Sequence, residues 1–133
     1  MFGLFERKKS HYQIDEEKKM VFIRFWGEIC TNDIHKTFKA LIEKEQAVEG
    51  YHWICDVTKG KRLFETKQVD AFANVFKTHS EKFVNSKVAV VIANRKQSQT
   101  VDALVGYFDE HHIKIPVKKV LDTKEALHWL QNN

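Results

Sequence analysis

The sequence predicts an α/β domain with a mostly parallel five-stranded sheet, opened by an antiparallel hairpin, and four helices. After the hairpin, one short apolar segment and one amphipathic helical segment alternate three times. The run Val88–Ala93 has six small or β-branched residues and no charge, which is typical of a parallel strand buried on both faces. A capped helical segment, residues 122–130, closes the chain.

The hairpin is predicted from residues 12–15 and 20–26, which flank the polar turn 16–19. In its second arm Val21 and Ile23 alternate with Phe22 and Trp26, so both faces are apolar. This pattern indicates a strand that is covered on both sides. Gly27 is expected to end it.

The first helix is expected to take its N-cap from Thr31–Asp33 and to end at Gly50. Its apolar stripe is Ile34, Phe38, Leu41, Ile42 and Val48. The segment Trp53–Val57 is the next predicted strand, and a loop is predicted over residues 58–65.

Two further helices and an edge strand follow. The second helix is predicted to be capped by Thr66, with an inward stripe of Val69, Phe72, Ala73, Phe76 and Phe83. Ser98 or Thr100 is the predicted cap of the third, which turns Val101, Leu104, Val105 and Phe108 inward. Residues 115–121 suit an edge strand because they hold the proline and two lysines. Asp122 and Glu125 have capping-box spacing for the closing helix.

The composition excludes several classes of function. A net charge of +4 from 22 basic and 18 acidic side chains is mild, and the clusters Lys59–Arg62 and Arg95–Lys96 are too short for a nucleic-acid footprint. Cys30 and Cys55 lack metal or redox spacing, so both are predicted to be buried, reduced thiols of a cytoplasmic protein. No apolar run is long enough to span a membrane. Residues 1–11 are predicted to be a tail and residues 12–133 a single domain.

The order of these elements resembles the SpoIIAA-like family, which includes the STAS-type antagonists of anti-sigma factors and the STAS/SEC14-like proteins. The resemblance covers about residues 12–131 and depends on Tyr12-x-Ile14, Trp26–Gly27, Asp56-Val-Thr58, Lys87–Ile92 and Glu125–Leu130. It implies a singly wound sheet and a regulatory or binding module. Its SEC14 side implies the alternative of a carrier for a small lipophilic ligand.

The chain departs from the family pattern where phosphorylated STAS domains hold their acceptor serine. The corresponding stretch is Leu63–Lys67, which lacks the glycine and the serine pair. Thr66 is the residue that stands in that place. Sigma-factor regulation is therefore not carried over from the resemblance.

No catalytic or metal site is predicted, and no cofactor. Asp109 and His112 are spaced to share a face of the third helix, but two ligands do not make a metal site. Neither a nucleophile elbow nor a phosphate-cradling glycine loop is present. Asp56 ends a strand, where an aspartate is expected to cap the following turn. The ten phenylalanines fit a core, although they also suit a lipophilic cavity.

One cluster of charged residues is predicted to form a binding site. Loops that follow neighbouring parallel strands leave the same edge of a sheet, so residues 58–66 and 94–100 are expected to lie side by side, near two helix N-termini that attract anions. The predicted contacts are Asp56, Thr58, Lys61, Arg62, Thr66, Arg95 and Lys96, with Lys59 nearby. A protein partner or a small anionic ligand is expected there.

Singly wound topology carries two further expectations. Sequential strand order with crossovers of one hand places their helices on one face of the sheet, so the apolar second face is expected to be closed by a partner subunit, as in a homodimer, or by residues 2–5. The second expectation follows from a strand order that never reverses in a singly wound sheet. Open α/β sheets usually build their active site in the crevice at such a reversal, and this crevice is then missing. A non-enzymatic protein is therefore predicted.

Overall fold

The computed structural model describes residues 10–29, 31–44, 48–61 and 69–132. The strands are β1 (Ser10–Asp15), β2 (Met20–Glu28), β3 (His52–Lys61), β4 (Val88–Val91) and β5 (Val117–Val120). The helices are α1 (Thr31–Lys44), α2 (Val69–Thr78), α3 (Arg95–Glu110) and α4 (Thr123–Gln131), and a short 3-10 helix covers Ser80–Phe83.

The five strands form one sheet in the sequential order β1-β2-β3-β4-β5. β1 pairs antiparallel with β2, and every other neighbouring pair is parallel. All four residues of β4 are buried, in agreement with the prediction of a strand that is covered on both faces. The predicted fold class and strand order are confirmed.

The main core lies between one face of the sheet and α1, α2 and α3. Trp53 of β3 stacks on Phe38 of α1 with ring centroids 5.1 Å apart. Phe76 of α2 contacts Phe38 at 5.3 Å and Phe108 of α3 at 5.3 Å. These aromatic contacts connect the sheet with all three crossover helices.

A smaller core lies on the second face, where α4 packs through Ala126 and Leu130 against Ile54 and Val91. The expectation that this face needs a partner subunit or the N-terminal segment is therefore corrected for β3 to β5, which α4 covers. Beside the hairpin an open groove of about 780 Å³ remains, lined in part by Phe22 and Leu127. Residues 2–5 lie outside the described residues.

Several predicted boundaries were wrong for identifiable reasons. Gly27 does not end β2: a register shift between Arg24 and Trp26 and a φ of +74° at Gly27 let the pairing continue to Glu28. α1 begins at Thr31, so its predicted caps lie in the first turn. Phe83 is buried as expected, but it belongs to the 3-10 helix and not to α2.

The predicted cap of the closing helix is confirmed. Asp122 Oδ1 accepts a hydrogen bond of 2.8 Å from the Glu125 N–H. In turn, Glu125 Oε1 accepts one of 3.0 Å from the Leu121 N–H, one residue before the usual capping-box partner.

His52 links the start of β3 to the residue before β4. Its Nδ1 accepts a hydrogen bond of 3.0 Å from the Lys87 N–H, so this nitrogen must be unprotonated. Partial burial, followed by the nearby Lys87 ammonium, lowers the pKa of His52 below its ordinary value of 6.5. The fold therefore favours the neutral imidazole.

Acid is expected to weaken the fold through this residue. The pKa of His52 in the folded state lies below its pKa in the unfolded chain. The contribution of His52 to the free energy of unfolding is therefore complete above pH 6.5 and is lost as the pH falls through the folded-state pKa. Asn at position 52 supplies an acceptor near the same place without titrating. The free energy of unfolding, measured in urea between about pH 7.5 and 5, should fall more for the wild type than for H52N. Parallel pH dependence of the two proteins would contradict this account.

Candidate functional site

The candidate site lies at the carboxyl end of β3, which extends beyond its neighbour β4. Asp56 pairs with Val91, the last residue of β4, and β3 then continues to Lys61 paired with β2 alone. Residues 58–61 were predicted to be a loop but belong to a strand. The β2–β3 ribbon therefore projects from the sheet edge as a regular, hydrogen-bonded structure.

Gln97 fastens this ribbon to the start of α3. Its side chain is buried, with 3% of the residue exposed. The amide Nε2 donates to Val57 O at 3.0 Å and to Gly60 O at 3.3 Å, and Oε1 accepts from the Ala93 N–H at 2.7 Å. One side chain thus joins the end of β3 to the β4–α3 connection, and the two segments lie side by side.

The connection itself is shorter than predicted. Asn94 caps α3, and its side chain accepts a hydrogen bond of 2.9 Å from the Gln97 N–H. The predicted caps Ser98 and Thr100 were wrong: both lie inside the helix, where the Thr100 hydroxyl donates to Lys96 O at 3.1 Å. Arg95 and Lys96 therefore occupy the first two positions of α3, and both are exposed.

Asp56 serves the structure of the ribbon. Its Oδ1 accepts hydrogen bonds from the Thr58 N–H at 2.9 Å and from the Thr58 hydroxyl at 2.6 Å. Oδ2 lies 3.6 Å from Nε of Arg24, which stands opposite in β2. Asp56 is buried and already holds three partners, as predicted for a residue that caps its own turn.

The remaining predicted contacts differ in their exposure and in their neighbours. Lys61 is exposed and stands opposite Glu28 in the parallel register, so an acid flanks its charge. Lys59 is exposed beside Trp26, which is 36% exposed. Arg62 and Thr66 lie outside the described residues. The anion-binding role of all these residues remains a prediction.

Gln97 and Arg24 were not among the predicted site residues, although the sequence position of Gln97 indicates its role. Gln97 continues the inward stripe Val101, Leu104 and Phe108 of α3 at helical spacing. A polar residue on such a stripe must find hydrogen-bond partners inside the protein. Arg24 is on an apolar strand face, but its partner Asp56 is distant in sequence, and only the register brings the two together.

Cys55 points into the main core and is a free, buried thiol, as predicted. Burial, with a smaller effect from the neighbouring Asp56, raises its pKa to about 12. Its thiol is therefore unsuited to nucleophilic chemistry. Cys30 lies outside the described residues.

The described residues contain no group of three or more His, Cys, Asp or Glu side chains arranged to hold a metal ion. The predicted pairing of Asp109 and His112 on one helical face was wrong. α3 ends at Glu110, and His112 follows with a φ of +56°. Its N–H donates to Asp109 O at 3.4 Å.

The carrier alternative requires space between the sheet and its helices. In the described core a cavity of about 40 Å³ lies there, lined by apolar side chains together with Gln97 and Thr100. Sites for small molecules usually measure roughly 300 to 1,000 Å³. This cavity therefore does not favour a bound lipophilic molecule.

Among the helices that the structure describes, none has the length and apolarity needed to cross a membrane.

Comparisons with known proteins place the fold. No family model matches the chain, and no curated protein matches it. An uncharacterised protein of the DUF3478 family with a SpoIIAA-like fold, from Shewanella loihica PV-4, is 17% identical over 91% of this chain and 93% of that chain, with a TM-score of 0.63. The chain therefore has the SpoIIAA-like fold that the resemblance implied.

Two anti-sigma factor antagonists are also similar in structure. Unphosphorylated SpoIIAA is 12% identical over 93% of this chain and 99% of that chain, with a TM-score of 0.56. An antagonist from Mycobacterium paratuberculosis is 11% identical over 94% of this chain and 97% of that chain, also with a TM-score of 0.56. At such identities the likeness shows the fold alone.

The hydrogen bonds of Gln97 predict a measurable cost of its removal. In Q97L the carbonyl of Val57 and the N–H of Ala93 lose their side-chain partner, so the free energy of unfolding should fall by about 2–3 kcal/mol. Q99L changes an exposed residue of the same helix in the same way and should shift it by less than about 0.5 kcal/mol. Urea unfolding measures both, and equal effects would contradict the structural role of Gln97.

Proposed function

We propose that this chain is a non-enzymatic regulatory or binding module that engages a protein partner or an anionic ligand at the edge formed by residues 58–66 and 94–100. The observation that carries the proposal is the Gln97 link, which joins the β2–β3 ribbon to the first turn of α3. Likeness of fold to anti-sigma factor antagonists, a class of regulatory proteins, supports it.

The chemistry of this edge suits an anionic surface. Arg95 and Lys96 are exposed at the N-terminus of the sixteen-residue helix α3, where the helix dipole adds positive potential. Lys59 and Lys61 are exposed on the ribbon that Gln97 holds beside it. A rigid ribbon and a helix end present these four cations with little loss of backbone entropy on binding.

Asp56 and Thr58 are proposed to shape the ribbon, since their polar groups are bonded to each other. Arg62 and Thr66 remain proposed contacts. A phosphate on Thr66 would add about −2 charge to the proposed site and so change the partner that it accepts.

A non-enzymatic role agrees with the winding of the sheet, because sequential strands leave no reversal point at which a crevice opens. The free thiol of Cys55 suits a reducing compartment, and we propose a cytoplasmic location. Residues 12–133 are proposed to act as one unit together with Ser10 and His11, which were predicted to lie in the tail but belong to β1.

Charge reversal tests the proposal. Hexaglutamate and inorganic phosphate serve as separate anionic probes of the ¹⁵N-labelled protein. Amide signals of residues 56–61 and 93–97 should shift on titration, and R95E/K96E should raise the Kd for hexaglutamate by about tenfold at low salt, an effect that screening reduces. Phosphate shifts at the same amides would support a small anionic ligand.

The control variant is K77E/K114E, which changes the net charge equally. Lys77 and Lys114 are exposed beside a different groove, near the amino ends of β4 and β5. An equal loss of affinity in both variants would mean that only net charge matters, and the proposal would fail.

A further inference from the structure

The two edges of the sheet differ in how they are protected. Pro116 precedes β5, which has four residues and includes Lys118 and Lys119, and such features discourage the addition of a further strand. β1 has six residues with neither proline nor lysine. In the part of the chain that the structure describes, no strand pairs with its outer side.

Space for another strand is present beside β1. An open groove of about 570 Å³ is lined by Ser10, His11 and Tyr12 of β1 and by Lys36, Thr37 and Ala40 of α1. The hydroxyls of Ser10 and Thr37 lie 3.1 Å apart, which holds α1 along this edge. Tyr12 is 41% exposed, a large apolar side chain at the rim.

The sequence of β1 is suited to pairing with a second copy of itself. When two copies of β1 pair antiparallel about a two-fold axis perpendicular to the sheet, each face of one copy continues as the same face of the other. Odd-numbered residues therefore stand opposite odd-numbered residues, and even-numbered residues opposite even-numbered ones. When the axis passes through Gln13, Tyr12 of each copy stands opposite Ile14 of the other, and His11 stands opposite Asp15. Aromatic with β-branched and imidazole with carboxylate are favourable cross-strand pairs, and each occurs twice.

A neighbouring register is poorer. With the axis through Tyr12, Ser10 stands opposite Ile14, His11 stands opposite Gln13, and the Asp15 carboxylate has no opposite residue in the strand. The register centred on Gln13 is therefore the better match.

We propose that the chain forms a homodimer through β1, giving a continuous ten-stranded sheet whose two-fold axis passes through Gln13. β2 separates β1 from β3, so the dimer leaves the start of α3 open to a partner. The two proposals are thus independent.

Sedimentation equilibrium over a range of concentrations tests the dimer. The wild type should approach twice the monomer mass. H11D places two carboxylates opposite each other in both symmetric pairs and should raise the dimer Kd by about tenfold. Within its own chain position 11 stands opposite Arg24, which favours folding of the variant. K118D, on the β5 edge, should leave the Kd unchanged.

A pair of cysteine variants, Q13C and H11C, tests the register. In the Q13C dimer the two introduced cysteines lie on the axis with Cα atoms about 5 Å apart, within reach of a disulfide, whereas those of the H11C dimer are separated by about 14 Å. Mild oxidation should cross-link Q13C and leave H11C and the wild type monomeric on a non-reducing gel. A monomer at every concentration, or equal cross-linking of Q13C and H11C, would overturn the proposal.

Discussion

The strands β2, β3 and β4 are each followed by a helix that leads to the neighbouring strand in the same direction, and this sequential winding determines the positions of the other elements. Because the steps never reverse, α1, α2 and α3 share one face and build the main core around Trp53, Phe38 and Phe76. The second face is left to α4, a helix of nine residues that covers β3 to β5 and leaves a groove beside the hairpin. In the part of the chain that the structure describes, the outer sides of β1 and β5 are unpaired, and β5 is the strand with two lysines in it and a proline directly before it.

The sequential winding also brings the segments that follow β3 and β4 together at one edge of the sheet, at the carboxyl ends of these strands. Two backbone segments that meet there bring carbonyl and N–H groups out of regular pairing, and these groups need partners. Gln97 supplies them from inside α3 and so turns two adjacent connections into one surface. Asp56 does the same for the turn at Thr58. The polar groups buried at this edge are therefore used for positioning, while Lys59, Lys61, Arg95 and Lys96 are exposed. These four residues are the proposed contacts of a partner.

Patterns that depend on local residues predicted the fold well. The uncharged run at Val88 identified an interior strand that is buried on both faces, and the spacing of Asp122 and Glu125 identified the closing cap. Features that depend on pairing between distant segments were missed. The extension of β3 to Lys61 requires pairing with β2. Gly27 permits this pairing by adopting a positive φ, whereas in the sequence a glycine at this position equally indicates the end of a strand. The cap of α3 was misplaced because three polar residues, Asn94, Ser98 and Thr100, precede the apolar stripe that begins at Val101. Of these, Asn94 is the residue whose side chain accepts a hydrogen bond from the Gln97 N–H. The stretch that includes Arg62 and Thr66 lies outside the described residues, so that part of the predicted site stays a prediction.

The central claim is that the rigid edge of the ribbon and α3, and not a crevice, is where this chain acts. Amide hydrogen exchange of the protein bound to its partner, isolated together from native cells, tests this most directly against the free protein at equal concentration. Binding should slow exchange in peptides that cover residues 56–61 and 93–97, because their amides lose solvent access on contact. Unchanged exchange in both peptides, with slowing confined to the groove between the hairpin and α4, would contradict the account.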